Sequence, residues 1–220
     1  MNKGVVSVLV AYLIWGLYPF YFHAMQHVAP AEIVIHRVLW TFALLAVYLF
    51  CSRRWRWIQK AVTDRRTVAV FLMSSVLITA NWSTYTYAIV TNQTLEASLG
   101  YFMNPLVSVL LGTVFLKEKL NKAQMLAIVF ACAGVMWVTF KQGEFPALGL
   151  TLALSFGFYG LVRKMAPLGS LEGLTLETAF AFPVALLATF YFAGNGDLTF
   201  VHGTSWDKFW LIMAGPITTI

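Results

Sequence analysis

The stretch "IVIHRVLWTFALLAVYLFC", Ile33–Cys51, decides the fold class of this chain. It is 19 residues long and almost wholly apolar, apart from His36 and Arg37. A bilayer core about 30 Å thick needs roughly 20 mainly apolar residues in a helix that rises ~1.5 Å per residue. The strands of a membrane barrel would instead alternate polar and apolar residues. The stretch therefore predicts a membrane-spanning helix.

Similar apolar runs occur along the rest of the chain, and another begins at residue 206. The complete runs are 4–22, 67–90, 95–116, 122–140, 147–163 and 172–193. Hydrophobic residues make up 60% of the chain and charged residues 11%, whereas a soluble domain carries about 25% charged residues. The predicted fold class is an all-α membrane protein, a helical transmembrane bundle.

The positions of Lys and Arg predict the orientation of the bundle. With the N-terminus inside, twelve of these residues lie on the cytoplasmic side and two on the other. Such an excess marks cytoplasmic loops, so the net charge of +6 is explained without nucleic-acid binding. The basic segment "RRWRWIQK", residues 53–60, is interpreted as an inner loop on anionic headgroups. We expect a multi-pass membrane protein with a cytoplasmic N-terminus.

An internal repeat relates the two ends of the chain. The stretch "LVAYLIWGLYPF", residues 9–20, aligns with "LTLALSFGFYGL", residues 150–161, and this alignment pairs Tyr18 with Tyr159. A repeat that begins after five spans starts from the opposite side of the membrane, because five is odd. Inverted repeats of this kind are typical of secondary transporters.

The repeat predicts two units, a first over residues 1–141 and a second over 146–220. The second unit stops within its third predicted span. We therefore expect this chain to be a piece of a longer protein that carries two further spans.

Several stretches resemble the RarD-type permeases of the EamA family in the drug/metabolite transporter superfamily. They are "AYLIWGLYPFYF", "PAEIVIHRVLW", "NWSTYTYAI", "LEASLGYFMNPLVSVLLGTVFLKEKL" and "LSFGFYGLVRK". The resemblance implies a ten-helix inner-membrane carrier built from two five-helix halves, of which about seven and a half spans are present here. It also implies secondary transport of a small organic metabolite or drug by alternating access.

Arg37 is the first candidate for a functional site. Only 14 residues follow it up to Cys51, about 21 Å of helix, so Arg37 has to lie in the outer part of the hydrocarbon or just beyond it. Glu32 and His36 are four residues apart and share a helix face. Two interpretations stay open: an interfacial anchor in which Glu32 pairs with His36 and Arg37 meets headgroups, or an anion-attracting gate tuned by His36.

Glu177 occupies the place in the second unit that Arg37 occupies in the first. Because the units are inverted, Arg37 is expected near the outer mouth and Glu177 near the inner mouth, about 15 Å apart in depth and too far for one ion pair. The sequence therefore predicts two separate gates. The candidate residues of the substrate path or gate are Arg37, His36, Glu32 and Glu177, and His36 and Glu177 are also candidate proton carriers.

Proline within a predicted span supplies the second kind of signal. Pro105 has no N–H to donate to the carbonyl of Tyr101, which is left free near the bilayer centre beside Asn104. A packing kink and a central pocket both account for this pattern. The candidate residues of a central pocket are Trp15, Tyr18, Asn81, Trp82, Tyr101, Asn104, Pro105 and Tyr159.

Other functional classes find little support in the sequence. There is no GxxxxGK[ST] loop for ATP, no GxSxG or HExxH motif, and no third ligand beside Glu32 and His36. We therefore predict a non-enzyme without cofactor or metal, whose partners are the lipid bilayer, a small organic substrate and protons. An intramembrane enzyme and a channel-like facilitator remain the alternatives, and the oligomeric state is left open.

Overall fold

The computed structural model describes residues 3–143 and 145–219. These residues form helices and no strand. The helices are α1 (Lys3–His23), α2 (Pro30–Ser52), α3 (Arg56–Thr63), α4 (Arg65–Val90), α5 (Thr94–Phe115), α6 (Lys122–Gln142), α7 (Ala147–Lys164), α8 (Ser170–Asn195), α9 (Thr199–His202) and α10 (Ser205–Thr219).

Each predicted apolar run lies on a helix whose ends differ from the run by at most a few residues. The run that decides the fold class becomes α2, which begins at Pro30, a residue suited to a first helical turn. Among the described residues, five helices are long and apolar enough to cross a membrane: α2, α4, α5, α6 and α8. Crossings by α1, α7 and α10 stay predictions.

Two short helices were not predicted. The segment expected as an inner loop contains α3, whose Ala61 is buried in a cluster with Phe71 of α4. Asp64, between α3 and α4, accepts hydrogen bonds from the Thr67 hydroxyl and backbone N–H and from the Arg66 N–H. These hydrogen bonds favour the carboxylate and lower the pKa of Asp64. The cap fixes where α4 enters the bundle.

The order of the helices repeats along the chain. Two long helices, one short helix and a further helix occur first as α1–α4 and again as α7–α10. Glu32 and Glu172 are the third residues of α2 and α8, and Arg37 and Glu177 are the eighth. The positions that the sequence pairs are thus equivalent along their helices.

The helix α4 lies at the centre of the bundle, in contact with α2, α7 and α8, while α2 also packs on α10 and α5 on α7. The α5–α7 contact is close because glycine faces glycine. A Cβ atom on Gly100 would lie 2.9 Å from the carbonyl oxygen of Gly149. Larger side chains at this crossing would force the two helices apart.

Candidate functional site

Arg37 is buried inside the bundle, with 7% of its surface exposed. Its Nε donates a hydrogen bond to Thr218 Oγ1 on α10 at 2.8 Å. The guanidinium lies 4.2 Å from the ring centre of Trp82 and 5.8 Å from that of Tyr18, within the range of cation–π contacts. The interpretation that places Arg37 among headgroups is therefore wrong.

The surroundings of Arg37 are aromatic and hydroxylic. In the part of the chain that the structure describes, no Asp or Glu oxygen lies within 4.0 Å of a guanidinium nitrogen of Arg37. Beside the guanidinium is a cavity of about 10 Å³ between α1, α2 and α10, lined in part by Tyr21 and Ala214. Such a volume holds roughly one water molecule. The cation is enclosed without a counter-ion.

Glu32 holds the start of α9. The side chain is 2% exposed, and its two oxygens accept the backbone N–H groups of Phe200 at 2.7 Å and Thr199 at 3.0 Å. His36 Nε2 stands 4.0 Å from Glu32 and has no hydrogen-bond partner among the described residues, while Nδ1 accepts from the Trp40 indole at 3.1 Å. The principal partners of Glu32 are therefore backbone groups of the second unit, and not His36.

Replacing Glu32 by alanine is expected to destabilise the protein by about 3 kcal/mol, because two buried N–H groups lose a charged acceptor. Glu32→Gln keeps one acceptor oxygen and is expected to lose about half as much. Thermal unfolding in detergent measures both values. A Glu32→Ala variant as stable as the native protein would show that the cap contributes nothing.

Glu177 is the most enclosed acid of the site, with 1% of its surface exposed. Its Oε1 accepts a hydrogen bond from Ser74 at 2.7 Å, and its Oε2 accepts from the Tyr159 hydroxyl at 3.3 Å. Arg163 Nε lies 3.6 Å from Oε1. Glu177 thus forms an ion pair with Arg163, whose side chain is 16% exposed.

Arg163 is the functional candidate that sequence reasoning missed. Its guanidinium lies 5.2 Å from the ring centre of Phe71, and Nη2 donates to the carbonyl of Gly169 at 3.1 Å. A Cβ atom on Gly173 would collide with this guanidinium. Glycine at 173 therefore provides the space in which Arg163 crosses α8. Extending the repeat alignment pairs Arg163 with Phe22. This pairing of a charged with an apolar residue was the signal in the sequence that could have identified Arg163.

The two charged sites are separate. Ser74, which contacts Glu177, and Trp82, which contacts Arg37, lie eight residues apart on α4, roughly 12 Å along the helix. Between them Ile78 is buried in an apolar cluster formed by α2, α4 and α8. Arg37 and Glu177 do not pair with each other in the structure.

Paired tyrosines connect each unit to its charged residue. Tyr18 contacts Arg37 through its ring, and its hydroxyl donates to the Ile217 carbonyl at 2.8 Å. Tyr159, which the alignment pairs with Tyr18, donates to Glu177. The predicted pocket residues thus divide between two sites, with Trp82 and Tyr18 at the first and Tyr159 at the second.

The predicted pocket residue Asn81 belongs to neither charged site in the structure as described. The Asn81 amide donates to the carbonyl of Leu152 at 3.1 Å and to Ser155 Oγ at 3.0 Å, so its amide nitrogen joins α4 to α7 and does not face a pocket. The side chain of Trp15 lies outside the described residues.

The candidates on α5 do not form an enclosed pocket. The helix continues through Pro105, and this residue is exposed. Tyr101 is 52% exposed and meets Tyr85 edge to face at 5.7 Å. Asn104 Oδ1 is buried and has no hydrogen-bond partner among the described residues. The described helix is thus continuous at Pro105, and a central pocket at these residues stays a prediction.

Asn81→Leu is expected to lower the free energy of unfolding by about 1 kcal/mol, the usual value of a polar contact between membrane helices. Transport by this variant should stay close to the native rate, because the amide bridges helices away from both charged sites. Unfolding in detergent and flux in liposomes provide the two measurements. Ser155→Ala removes one of the two contacts and should have the smaller effect. Lost flux at native stability would return Asn81 to the substrate path.

Comparison with known proteins places the chain among transporters. A sequence profile of the EamA-like transporter family matches residues 2–140. An uncharacterized transporter of Pseudomonas aeruginosa is 38% identical over 220 residues, which are 100% of this chain and 74% of that protein. Protein RarD of Escherichia coli is 37% identical over 219 residues, again 100% of this chain and 74% of the relative. The uncharacterized transporter YojE of Bacillus subtilis is 42% identical over 84% of this chain and 63% of its own length.

Proposed function

Because the chain belongs to the EamA-like transporter family, we propose that it is a secondary carrier that moves a small organic metabolite or drug by alternating access. Membership of this family, together with relatives named as transporters, makes the chain a multi-pass membrane permease. We also propose that the protein lies in the bacterial inner membrane with its N-terminus in the cytoplasm.

The observation that carries the proposal is the matched construction of the two charged sites. Arg37 contacts Tyr18 of its own unit and Thr218 of the other unit. Glu177 contacts Tyr159 of its own unit and Ser74 of the other. Each site thus has one contact within a unit and one between the units. In alternating access, rocking of one unit against the other would open the cross-unit contact at one site while the one at the other site stays closed.

In this account Arg37 forms the outer gate, and the Glu177–Arg163 pair forms the inner gate. The apolar cluster around Ile78 separates them. His36 lies next to Arg37, and its Nε2 has no hydrogen-bond partner among the described residues. His36 and Glu177 are the two groups through which proton movement would be coupled to transport. Glu32 anchors the outer end.

A channel-like facilitator is the second candidate, in which several copies of the chain would together form a pore. The apolar cluster around Ile78, which lies between the two sites, favours the carrier.

Reconstitution of the purified protein into liposomes tests the proposal. Saturable counterflow of a member of a metabolite library, with a rate that responds to a pH jump, is the expected result. An ohmic current without saturation would support a channel, and chemical turnover without net flux would support an enzyme. Either of these, or the absence of counterflow for the whole library, would overturn the carrier proposal.

A further inference from the structure

We propose that the outer site binds the carboxylate of a small monocarboxylate through Arg37, with the apolar or aromatic body of the ligand held by Trp82 and Tyr18. The proposal rests on the carrier function above and names the class of its substrate. It follows from the surroundings of one buried cation.

The guanidinium of Arg37 has no carboxylate partner among the described residues. A buried cation without an anion carries a desolvation cost of several kcal/mol. Glu32, the acid nearest in sequence, already accepts two backbone N–H groups at the start of α9. Of the five N–H donors of the guanidinium, only the Nε–H makes a hydrogen bond within the described part of the protein. The remaining donors have no acceptor among the described residues and are available to a ligand.

A second observation is an asymmetry between the two units. Glu177 has a built-in counter-ion, Arg163, at 3.6 Å. The repeat alignment pairs Arg163 with Phe22, which is 1% exposed and provides no charge. The unit that carries the acid therefore neutralises it internally, whereas the described residues of the unit that carries the cation do not. A carrier that used both charges only for packing would have no reason for this difference.

A third observation concerns the class of anion. Neither Lys nor a second Arg pairs with this site among the described ion pairs and cation–π contacts, so its charge matches a monoanion better than a phosphate dianion. The planar guanidinium suits a carboxylate, whereas the Thr218 hydroxyl already donates to the Ala214 carbonyl at 2.7 Å. The rings of Trp82 and Tyr18 provide apolar faces for the rest of the ligand.

The cavity beside Arg37 shows which state the structure represents. Its volume of about 10 Å³ holds roughly one water molecule, not a carboxylate with its body. The site is thus closed here, and α1 or α10 has to move away before a ligand enters. Both helices are tied at this point by the hydrogen bond from Tyr18 to Ile217.

The test uses acetate, benzoate and phenylacetate, each beside its neutral amide, with purified protein and with proteoliposomes. A ligand that binds only the folded protein raises the unfolding temperature. We expect at least one carboxylate to raise it and to show saturable counterflow, and its amide to do neither. Arg37→Gln should weaken carboxylate binding by about 10- to 100-fold, the value of a charge-assisted hydrogen bond.

Two substitutions of Thr218, one by an acid and one by its neutral amide, separate an effect on ligand binding from an effect on folding. Thr218→Asp places a carboxylate within reach of Arg37 Nε and supplies the missing counter-ion. We expect it to stabilise the ligand-free protein and to weaken carboxylate binding by at least about tenfold, because the internal anion competes with the ligand. Thr218→Asn, of the same size but neutral, should bind the carboxylate within about threefold of the native affinity.

Three results would overturn the monocarboxylate site: amides that bind as well as carboxylates, carboxylate binding that Arg37→Gln and Thr218→Asp leave unchanged, or no binding of any carboxylate. Saturable counterflow of a neutral or cationic metabolite, insensitive to Thr218→Asp, would remove this inference and leave the carrier function intact. The carrier function itself fails only if the whole library shows no saturable counterflow.

Discussion

Arg37→Met is expected to reduce transport by at least about 100-fold while leaving the protein folded and as stable as the native chain. Methionine fills a similar volume but removes the cation from the outer gate. Loss of a buried charge usually leaves its partner unpaired and destabilises the protein. Arg37 has no carboxylate partner among the described residues, so its removal should relieve a desolvation cost. Flux in liposomes and thermal unfolding in detergent measure the two effects.

Two further variants make the result specific. Arg37→Lys keeps the charge but not the planar, forked geometry, so an intermediate rate is expected. Arg37→Ala should be as inactive as Arg37→Met. Transport at the native rate in well-expressed Arg37→Met or Arg37→Ala protein would exclude Arg37 from the gate.

The opposite behaviour is expected at the inner gate, where Glu177→Ala should destabilise the protein by about 3–5 kcal/mol. The substitution leaves the partly buried Arg163 guanidinium without its anion and removes the acceptor of Ser74 and Tyr159. Adding Arg163→Met should restore much of this loss, because the unpaired charge is then gone. Unfolding of the four proteins of this double-mutant cycle gives the coupling energy. A loss in the double variant equal to the sum of the two single losses would mean that the two charges are not coupled.

Gly173→Ala tests the position of the Arg163 side chain without removing a charge. It removes neither charge, but its methyl group occupies the space of the Arg163 guanidinium. Since a long side chain can move aside, we expect a smaller loss of about 1–2 kcal/mol together with an altered transport rate. Gly160 has no atom within 4 Å of an added Cβ, so Gly160→Ala on α7 should change neither quantity.

The helices could be predicted from sequence because membrane thickness fixes the length of a span. Counting from Arg37 to the end of its apolar run places the charge in the outer part of the hydrocarbon or just beyond it, and this depth stays a prediction. The burial of Arg37 within the bundle depends on other helices, which the count does not include. The same constraint explains why every predicted run became a helix.

The partners within the site could not be predicted in the same way, because they lie far apart in the chain. Glu32 and the N–H of Thr199 are separated by 167 residues. Arg163 stands at the end of a span, where a basic residue usually remains in the cytoplasmic loop. Only the space left by Gly173 on another helix reveals that it turns inward. The Asn81 contact with the Leu152 carbonyl, 71 residues away, could not be predicted either.

Labelling of single cysteines from each side of the membrane tests alternating access most directly. In a variant without Cys51 and Cys132, Ala214→Cys reports on the outer site and Ser74→Cys on the inner site. We predict that an impermeant maleimide reaches Ala214→Cys only from outside and Ser74→Cys only from the cytoplasm. Transported substrate should raise the labelling rate at one position and lower it at the other. Labelling of both positions from the same side, or rates that rise together with substrate, would contradict the two-gate carrier.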